Sequence, residues 1–398
     1  MPLLPGMPQF EGEHAKRQPT LSPWEMQKLM GLGINMGNVL DTPFEGVFAQ
    51  AASPKHFDMF AKAGFQHVRI PVCWGNHMEL DAPYTIQPWF MDRVEELVKS
   101  CLERGLVAVI TAHHEWWIDF DDEDHHDLDI FHYKALPRFE SLWEQVGDRF
   151  RHYNQHLLFG ILNEPHMLTA TSLNELHRVA LVAIRHKNPT RIVTISGKDF
   201  ANPRWLISNP KALTTPIDPQ LMIEVHVTEP HGFAGKDPTH QGWGGDEDKQ
   251  KVQEWVDGIE LWGRARGLPV YVGEFGCSND QSHAAGRLDW LEANWKAMRS
   301  KGFSACLWDD GDKFSIYDRE KGIWDQDVLI ILQRALPGME GISMYRQGGG
   351  LGGPSEDVVT DMSRTLEHHF VRLRREMEDV NNLPELPDFD AENDREEY

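Results

Sequence analysis

The stretch His-Leu-Leu-Phe-Gly-Ile-Leu-Asn-Glu-Pro at residues 156–165 decides the fold prediction. Its apolar part, Leu158–Leu162, shows no alternation of polar and apolar side chains, as expected of a parallel strand buried on both faces. The polar residues Asn163 and Glu164 follow directly, and Pro165 ends the run. A buried strand that carries polar side chains at its carboxyl end is typical of an α/β fold.

Seven further segments repeat this pattern of an apolar run, a polar loop and an amphipathic stretch. The predicted strands are Gly31–Asn35, His67–Pro71, Val107–Thr111, Leu158–Leu162, Ile192–Ser196, Met222–Val225, Val270–Val272 and Ala305–Trp308. Apolar side chains at helical spacing predict the helices Phe57–Ala63, Met91–Arg104, Ser172–His186 and Leu288–Ser300. The alternation predicts an α/β (β/α)₈ TIM barrel. A doubly wound sheet, the alternative, would normally carry GxGxxG after its first strand, and that motif is absent.

Both ends of the chain are predicted to lie outside the barrel, which is assigned to residues 23–337. The N-terminal extension, residues 1–22, lacks the apolar core of a signal peptide, so we expect a cytoplasmic protein, or a secreted one if this is a processed form. Residues 338–382 read as a Gly-rich linker and an extra C-terminal helix. We expect this helix to pack on the barrel, with oligomerisation through it as the alternative. The acidic tail, residues 383–398, is predicted to be disordered.

The composition excludes several classes of partner. Against 62 Asp and Glu there are only 39 Lys and Arg, and the net charge of −23 argues against nucleic acid and against an anionic membrane surface. No apolar stretch approaches the ~20 residues of a membrane span. The 14 Trp fit a neutral carbohydrate, since indole faces stack on sugar rings, although any one of them could equally fill the core. The four cysteines show no metal-ligand spacing and are predicted to be buried free thiols.

Polar residues at the strand ends are the candidates for chemistry, because the active site of a TIM barrel lies at the carboxyl ends of its strands. Glu164 follows the fourth predicted strand and Glu274 the seventh, so the two face each other across the barrel mouth. Glycoside hydrolysis uses such a pair of carboxyl groups, and a separation of ~5 Å leads to retention of configuration. Arg69 is the candidate cation that keeps Glu274 ionised, and the Asn163 amide is suited to a sugar 2-hydroxyl.

Seven segments in order make the sequence resemble glycoside hydrolase family 5, the cellulase family of clan A. They are Gly-Ile-Asn-Met-Gly-Asn (33–38), Val-Arg-Ile-Pro-Val (68–72), Thr-Ala-His-His-Glu (111–115), Leu-Asn-Glu-Pro (162–165), Thr-His-Gln-Gly (239–242), Gly-Glu-Phe-Gly (273–276) and Leu-Trp-Asp-Asp-Gly (307–311). The resemblance implies a cofactor-free retaining β-glycosidase with Glu164 as acid/base and Glu274 as nucleophile. It also implies that the substrate site contains Arg69, His113, Asn163, His226 and Trp308.

Three more candidates for substrate contact are Asn35, in the first matching segment, His114 and Trp116. Only one of the adjacent His113 and His114 can point inward from a strand. Of Trp116 and the next residue, Trp117, at least one is expected to line the cleft. Trp74 and Trp243 are read either as cleft residues or as core.

One position departs from the family pattern. Family members usually have Tyr two residues after the histidine of strand six, and its hydroxyl contacts the nucleophile, whereas this chain has Thr228. A Thr hydroxyl is too short for that contact. Because a lost hydrogen bond to the charged form raises the pKa of a carboxyl group, we expect an active enzyme with a shifted pH optimum.

The acidic segment 119–129 (Asp-Phe-Asp-Asp-Glu-Asp-His-His-Asp-Leu-Asp) is read as a solvated loop. A structural metal is the alternative, although the segment lacks the glycine and spacing of an EF-hand loop. A metal-dependent hydrolase built on His113, His114 and this loop would usually show His-x-His after strand one, which is absent.

The favoured substrate is β-1,4-glucan cleaved internally, because the segments at 239–242 and 307–311 resemble those of the endoglucanase branch. The loops do not separate this substrate from β-1,3-glucan, β-mannan or glycolipids. A non-catalytic carbohydrate-binding barrel would be expected to have lost one of the two glutamates, and both are present.

Overall fold

A closed barrel of eight parallel strands forms the centre of the computed structural model, which describes residues 20–118, 131–235, 242–279 and 284–334. Each strand pairs with the next in sequence, and the last pairs with the first. The strands are β1 (Leu32–Asn35), β2 (His67–Val72), β3 (Val107–Ala112), β4 (Leu157–Gly160), β5 (Val193–Ser196), β6 (Leu221–Val227), β7 (Val270–Phe275) and β8 (Ser304–Leu307). The predicted TIM barrel is confirmed, and the predicted strands differ from these only at their ends.

Helices surround the barrel. They are α1 (Pro23–Met30), α2 (Pro54–Lys62), α3 (Pro88–Leu102), α4 (Leu136–Arg149), α5 (Ala170–Lys187), α6 (Pro203–Ser208), α7 (Asp246–Arg264), α8 (Ala284–Ser300) and α9 (Gln326–Arg334). Short helical turns lie in the loops at Trp74–His77, Trp116–Ile118, Phe131–Ala135, Lys198–Ala201 and His231–Ala234, and a small hairpin joins β9 (Tyr317–Asp318) to β10 (Ile323–Trp324). The helices α2–α9 follow β1–β8 one for one, as the sequence pattern predicts.

The barrel strands are buried along their whole length, which explains their unbroken apolar sequences. Alternate side chains point outward to the helices or inward to the barrel axis. A separate apolar cluster joins Met26 and Met30 of α1 to residues of the strands, including Val109, Met222 and Tyr271. The first helix therefore closes the barrel at the amino ends of its strands, and the opposite, carboxyl end is left for the site.

Several predictions fall outside the described residues. They concern residues 1–19 of the N-terminal extension, the acidic segment 119–129, the Thr-His-Gln part of the 239–242 segment, and the linker, helix and tail after Arg334. All four cysteines are described, and they are buried free thiols as predicted. Among the described residues, no helix is long and apolar enough to cross a membrane.

Candidate active site

The carboxyl ends of the strands bring the two predicted catalytic glutamates together. Glu164 follows β4, Glu274 lies in β7, and His226 of β6 stands between them. One oxygen of each glutamate and one ring nitrogen of His226 all lie within 4.8 Å of one another. The pairing of β6 with β7 shifts register after Val225, so that His226 is opposite Glu274. This irregularity directs both side chains into the same mouth.

Arg69 of β2 connects the groups around this mouth. It is fully buried, and its guanidinium donates to Glu274 at 2.7 Å, Asn163 at 2.7 Å, Asn35 at 3.0 Å and Glu224 at 3.1 Å. Burial alone would lower the pKa of Arg69, but the adjacent Glu224 and Glu274 raise it, so the side chain is always charged. The bond to Glu274 is the one that the sequence suggested.

Asn35 and Arg69 do not lie on the surface of the cleft, contrary to their prediction as substrate contacts. Neither side chain is exposed. The Asn35 amide nitrogen donates to the carbonyls of Gly273 and Leu307 at 3.0 and 3.3 Å, and its oxygen accepts from Arg69. Arg69 therefore holds the Glu274 carboxylate directly, and Asn35 acts through Arg69 and the Gly273 carbonyl.

His226 is placed to carry a positive charge. Its Nδ1 lies 2.9 Å from Glu164 Oε1, and its Nε2 lies 3.1 Å from Glu224 Oε1. When Glu164 and Glu224 are both ionised, each carboxylate only accepts hydrogen bonds, so both ring nitrogens donate and the ring is an imidazolium. Burial alone would lower the pKa of His226, but Glu274, Glu164 and Glu224 raise it to about 9.

The two candidate catalytic carboxyl groups have pKa shifts of opposite direction, so that Glu274, whose pKa is raised, binds a proton first. Burial raises the pKa of Glu274 to about 7, against the opposing effect of His226 and Arg69. Burial also disfavours ionised Glu164, but the hydrogen bond and the charge of His226, together with the charge of Arg69, outweigh it and lower the pKa of Glu164. Groups this close titrate as a pair. When the proton moves to Glu164, Glu274 becomes a carboxylate against Arg69, and Glu164 becomes an acid whose side chain is 30% exposed to the cleft.

Glu164 has an unusual backbone conformation. Its φ is +44°, a left-handed value that costs a non-glycine residue about 1–3 kcal/mol and that is concentrated at functional sites. The preceding peptide is fixed to the barrel, since Asn163 donates its N–H to the Ala112 carbonyl at 2.8 Å. The Asn163 side-chain oxygen accepts from Arg69, and no described residue bonds its amide nitrogen, which is left for a ligand hydroxyl.

His113 and Trp308 form one wall of the mouth. Their rings are nearly parallel, with an interplanar angle of 3° and centroids 6.0 Å apart. Burial, reinforced by the nearby charges of His114, Arg69 and His226, lowers the pKa of His113 well below its usual value, so the ring is neutral. Its Nδ1 has no partner among the described residues. Gly37 leaves room for Trp308, because a Cβ there would lie 2.9 Å from the indole.

The remaining aromatic candidates divide between surface and core. His113 points inward and His114 is exposed, in line with the expectation for adjacent strand residues. Trp116 is 57% exposed, whereas the buried Trp117 donates to Glu115 at 2.7 Å. Trp74, read as cleft or core, is a core residue whose Nε1 donates to the Thr111 carbonyl.

The other candidate, Trp243, is half-buried and stacks on Phe233, with ring centroids 6.3 Å apart.

Within the part of the chain that the structure describes, two groups of side chains have donor atoms close enough to be compared with metal sites. One is Glu164, His226 and Glu274, where hydrogen bonds and the Arg69 charge account for the arrangement. The other is Asp41, His113 and His114. Asp41 accepts the backbone N–H groups of Asn38 and Val39 at 3.0 and 2.8 Å, so it anchors the loop after β1. We assign neither group to a metal.

Thr228 lies just after β6, and no hydrogen bond between described residues joins it to Glu274. The cations nearest to Glu274 are Arg69 at 2.7 Å and His226 at 3.7 Å. Among the described residues, these two cations are the partners that the Glu274 carboxylate has.

We expect Thr228→Tyr to move the acid limb of the kcat/KM profile to lower pH, by about one unit. A phenol that donates to the Glu274 carboxylate stabilises its charged form and so lowers the pKa of this group. The check is the pH dependence of hydrolysis of a soluble substrate. Thr228→Val is the matched control and should keep the parent profile. A Tyr variant whose profile also matched the parent would count against the expectation.

Two features of the site were not predicted from the sequence. The first is Glu224, which contacts both Arg69 and His226. The sequence does contain a clue to it: a charged residue inside the apolar run of β6, two residues before His226 and therefore on the same face of the strand. Phe200 is 51% exposed and stacks on His166, with ring centroids 4.4 Å apart. Nothing in the local sequence distinguishes Phe200 from a core phenylalanine.

A TIM barrel with two carboxyl groups this close at its carboxyl end, one beside an arginine and the other beside an imidazolium, defines a retaining glycoside hydrolase. Comparison with known proteins places the chain within that class. The family model described as cellulase (glycosyl hydrolase family 5) matches residues 37–314. The chain belongs to glycosyl hydrolase family 5.

Individual relatives agree with this family. Endoglucanase H of Acetivibrio thermocellus is 34% identical over 316 residues, which are 78% of this chain and 33% of that protein. This chain thus spans about a third of that relative. Two solved structures of Thermotoga maritima Cel5A, one in complex with mannotriose and one with cellobiose, are each 32% identical, with TM-scores of 0.69 and 0.70. Each match covers 78% of this chain and 99% of the solved one.

Proposed function

We propose that this protein hydrolyses internal β-1,4 bonds of glucan chains by double displacement, with Glu164 as acid/base and Glu274 as nucleophile. The observation that carries the proposal is the separation of the two side chains, whose nearest oxygens lie within 4.8 Å. Inverting enzymes hold their carboxyl groups about 6.5–9.5 Å apart to admit a water molecule between carboxylate and sugar. The shorter distance favours direct attack by the carboxylate.

In the first step Glu274 attacks the anomeric carbon while Glu164 protonates the departing glycosidic oxygen. Arg69 holds the Glu274 carboxylate in position, since it donates to Oε1 at 2.7 Å. As Glu164 gives up its proton it becomes negative, and the adjacent imidazolium of His226 stabilises that charge. The products are a glycosyl ester on Glu274 and the shortened chain that leaves.

In the second step Glu164 acts as a base. It takes a proton from a water molecule, which attacks the anomeric carbon and displaces Glu274. Two inversions at the same carbon give overall retention. We assign the neutral His113, the Asn163 amide and the Trp308 face to binding the sugar whose bond is broken, as hydrogen-bonding groups and as an apolar surface.

A second aromatic surface supports cleavage within a chain. His166 follows the acid/base closely, and its Nδ1 lies 2.9 Å from the Glu164 carbonyl oxygen. Phe200 stacks on His166 at an interplanar angle of 12° and remains half exposed. Because Glu164 protonates the leaving oxygen and Phe200 packs on the segment that follows Glu164, we assign this ring to the side of the departing chain. Binding on both sides of the broken bond is what an endo-acting enzyme needs.

We expect Phe200→Ala to lower kcat/KM on cello-oligosaccharides about 2–10-fold, the loss of roughly 0.5–1.5 kcal/mol of stacking. Aryl cellobiosides, which carry no sugar on the leaving side, should be cleaved at the parent rate. The measurement compares both substrates. Trp24→Ala, an exposed aromatic on α1 at the other end of the barrel, is the control. Equal losses on both substrates would contradict a role on the leaving side.

The substrate preference is tested by measuring kcat/KM on a panel of soluble β-1,4-glucan, β-1,3-glucan, β-mannan and a β-glucosyl lipid. We expect the largest kcat/KM on β-1,4-glucan. β-Mannan is the second candidate, because the related Thermotoga maritima structures contain mannotriose as well as cellobiose. Viscosity that falls faster than reducing ends accumulate indicates internal cleavage, and proton NMR of the first product gives its configuration. An inverted first product would overturn the double displacement.

A further inference from the structure

We propose that Glu224 is a positioning residue whose buried negative charge keeps one proton on the pair formed by Glu164 and Glu274. The inference rests on the proposed function, because it explains how that pair holds one acid and one carboxylate at the same time. Glu224 lies below the pair and does not reach the cleft, since only 4% of its surface is exposed.

The position of Glu224 is built by its neighbours. Oε1 accepts from Arg69 Nε at 3.1 Å and from His226 Nε2 at 3.1 Å, and Oε2 accepts from the Thr194 hydroxyl. A Cβ at residue 273 would lie 2.1 Å from Oε1, so the carboxylate fits there only because residue 273 is glycine. Glu224 therefore contacts both cations that neutralise the catalytic pair.

A count of charges shows what Glu224 does to the site. The cluster, buried except for the partly exposed Glu164, contains three carboxyl groups, those of Glu164, Glu224 and Glu274, and two cations, Arg69 and His226. If all three carboxyl groups were ionised, one negative charge would be unbalanced (three minus two). A buried unbalanced charge is costly, and a site relieves that cost by taking up a proton.

The extra proton belongs on the catalytic pair. Burial raises the pKa of Glu224, but Arg69 and His226 outweigh burial and lower it, so Glu224 stays ionised. The neighbouring rings and thiol add no charge. Burial lowers the pKa of His67 and of His113, and it raises the pKa of Tyr271 and of Cys306, so all four are neutral at pH 5–8. The proton is left to Glu164 and Glu274.

The test is the pH dependence of kcat/KM of Glu224→Gln on a cello-oligosaccharide, whose leaving group needs protonation. Gln keeps the shape of the side chain and an oxygen that can accept from Arg69. Removal of the buried negative charge makes Glu164 and Glu274 easier to ionise. Both limbs of the kcat/KM profile should therefore move to lower pH by about one unit. At a given pH on the alkaline limb, kcat/KM should then be about tenfold lower than in the parent.

Two variants separate charge from structure. Glu224→Asp keeps the negative charge and should restore the limbs to within a few tenths of a pH unit of the parent. Glu115→Gln removes a carboxyl group of similar burial, 3% exposed, that is bonded to Trp74 and Gly75 away from the pair. Its limbs should match the parent. A Glu224→Gln variant that is slower at every pH but has unshifted limbs would overturn the proposal.

A measurement on the parent protein covers the case in which the variant does not fold. Nitrogen-15 NMR of the His226 ring should show both nitrogens protonated up to about pH 8, since two carboxylates hold them. A ring that is neutral at pH 7 would overturn the proposal. Neither result depends on whether Glu274 is the nucleophile, which the Glu274→Gln variant tests separately.

Discussion

Glu274→Gln is expected to abolish turnover on every glycoside. The amide that replaces the carboxylate cannot form the glycosyl ester, and the direct route by water has no base on that face of the sugar. Gln preserves size and still accepts a hydrogen bond from Arg69, so the barrel should fold as in the parent. We expect kcat to fall by about 10⁴-fold or more, on activated aryl glycosides as well as on glucan.

The measurement for Glu274→Gln is single-turnover and steady-state hydrolysis on both substrate types, with circular dichroism to show the fold. Glu115→Gln serves as the control, because Glu115 is as deeply buried as Glu274 but holds the peptide N–H groups of Trp74 and Gly75 instead. Substantial turnover by Glu274→Gln would remove Glu274 as the nucleophile.

Glu164→Ala is expected to have a large effect that depends on the substrate. General acid catalysis contributes about 10²–10⁴-fold, so hydrolysis of glucan, whose leaving group is a sugar hydroxyl, should fall by that factor. The dinitrophenolate of a dinitrophenyl cellobioside leaves without a proton. The attack of Glu274 on this substrate should therefore stay near the parent rate. The glycosyl ester on Glu274 then accumulates, because no base activates the water for the second step.

A pre-steady-state burst on the activated substrate checks this expectation for Glu164→Ala. The dinitrophenolate released in the burst should equal the enzyme concentration, and a slow steady-state release should follow. Glu164→Gln is the matched variant, since it keeps the length of the side chain and a hydrogen-bond acceptor for His226. A loss of the same factor on both substrates, with no burst, would contradict the role of Glu164 as acid/base.

The barrel was predictable from sequence for a physical reason. Strands buried on both faces must be apolar throughout, so runs such as Val107–Thr111 stand out from the amphipathic helices between them. The order of the strands follows from the alternation with helices. The placement of Glu164 and Glu274 at one end follows from the common direction of parallel strands.

What the sequence could not indicate was depth along the barrel axis. Asn35 and Arg69 are polar residues near the carboxyl ends of their strands, as expected of substrate contacts. Both are nevertheless buried below the mouth and bond to other protein groups. Side-chain alternation gives the face of a strand but not the level at which a residue meets its neighbours. The register shift between β6 and β7, which places His226 opposite Glu274, leaves no mark in the sequence.

The loop that carries Phe200 was unpredictable for a different reason. Asp199, Phe200 and Ala201 have φ values of +58°, +59° and +57°, and none of them is glycine. A left-handed turn is usually signalled by Gly or Asn, so these residues gave no sign of it. The turn is held by the tertiary structure, including the bond from the Phe200 N–H to the Pro165 carbonyl at 3.4 Å.

The four bonds of Arg69 have a consequence for how this protein can change. Its partners Asn35, Asn163, Glu224 and Glu274 all lie within barrel strands or close after them. The loops that carry exposed aromatics contribute none of these bonds. The bonds that hold the Arg69 guanidinium are therefore separate from the loops that carry Trp116 and Phe200. A new glycan preference can arise by loop replacement, without rebuilding the reaction centre.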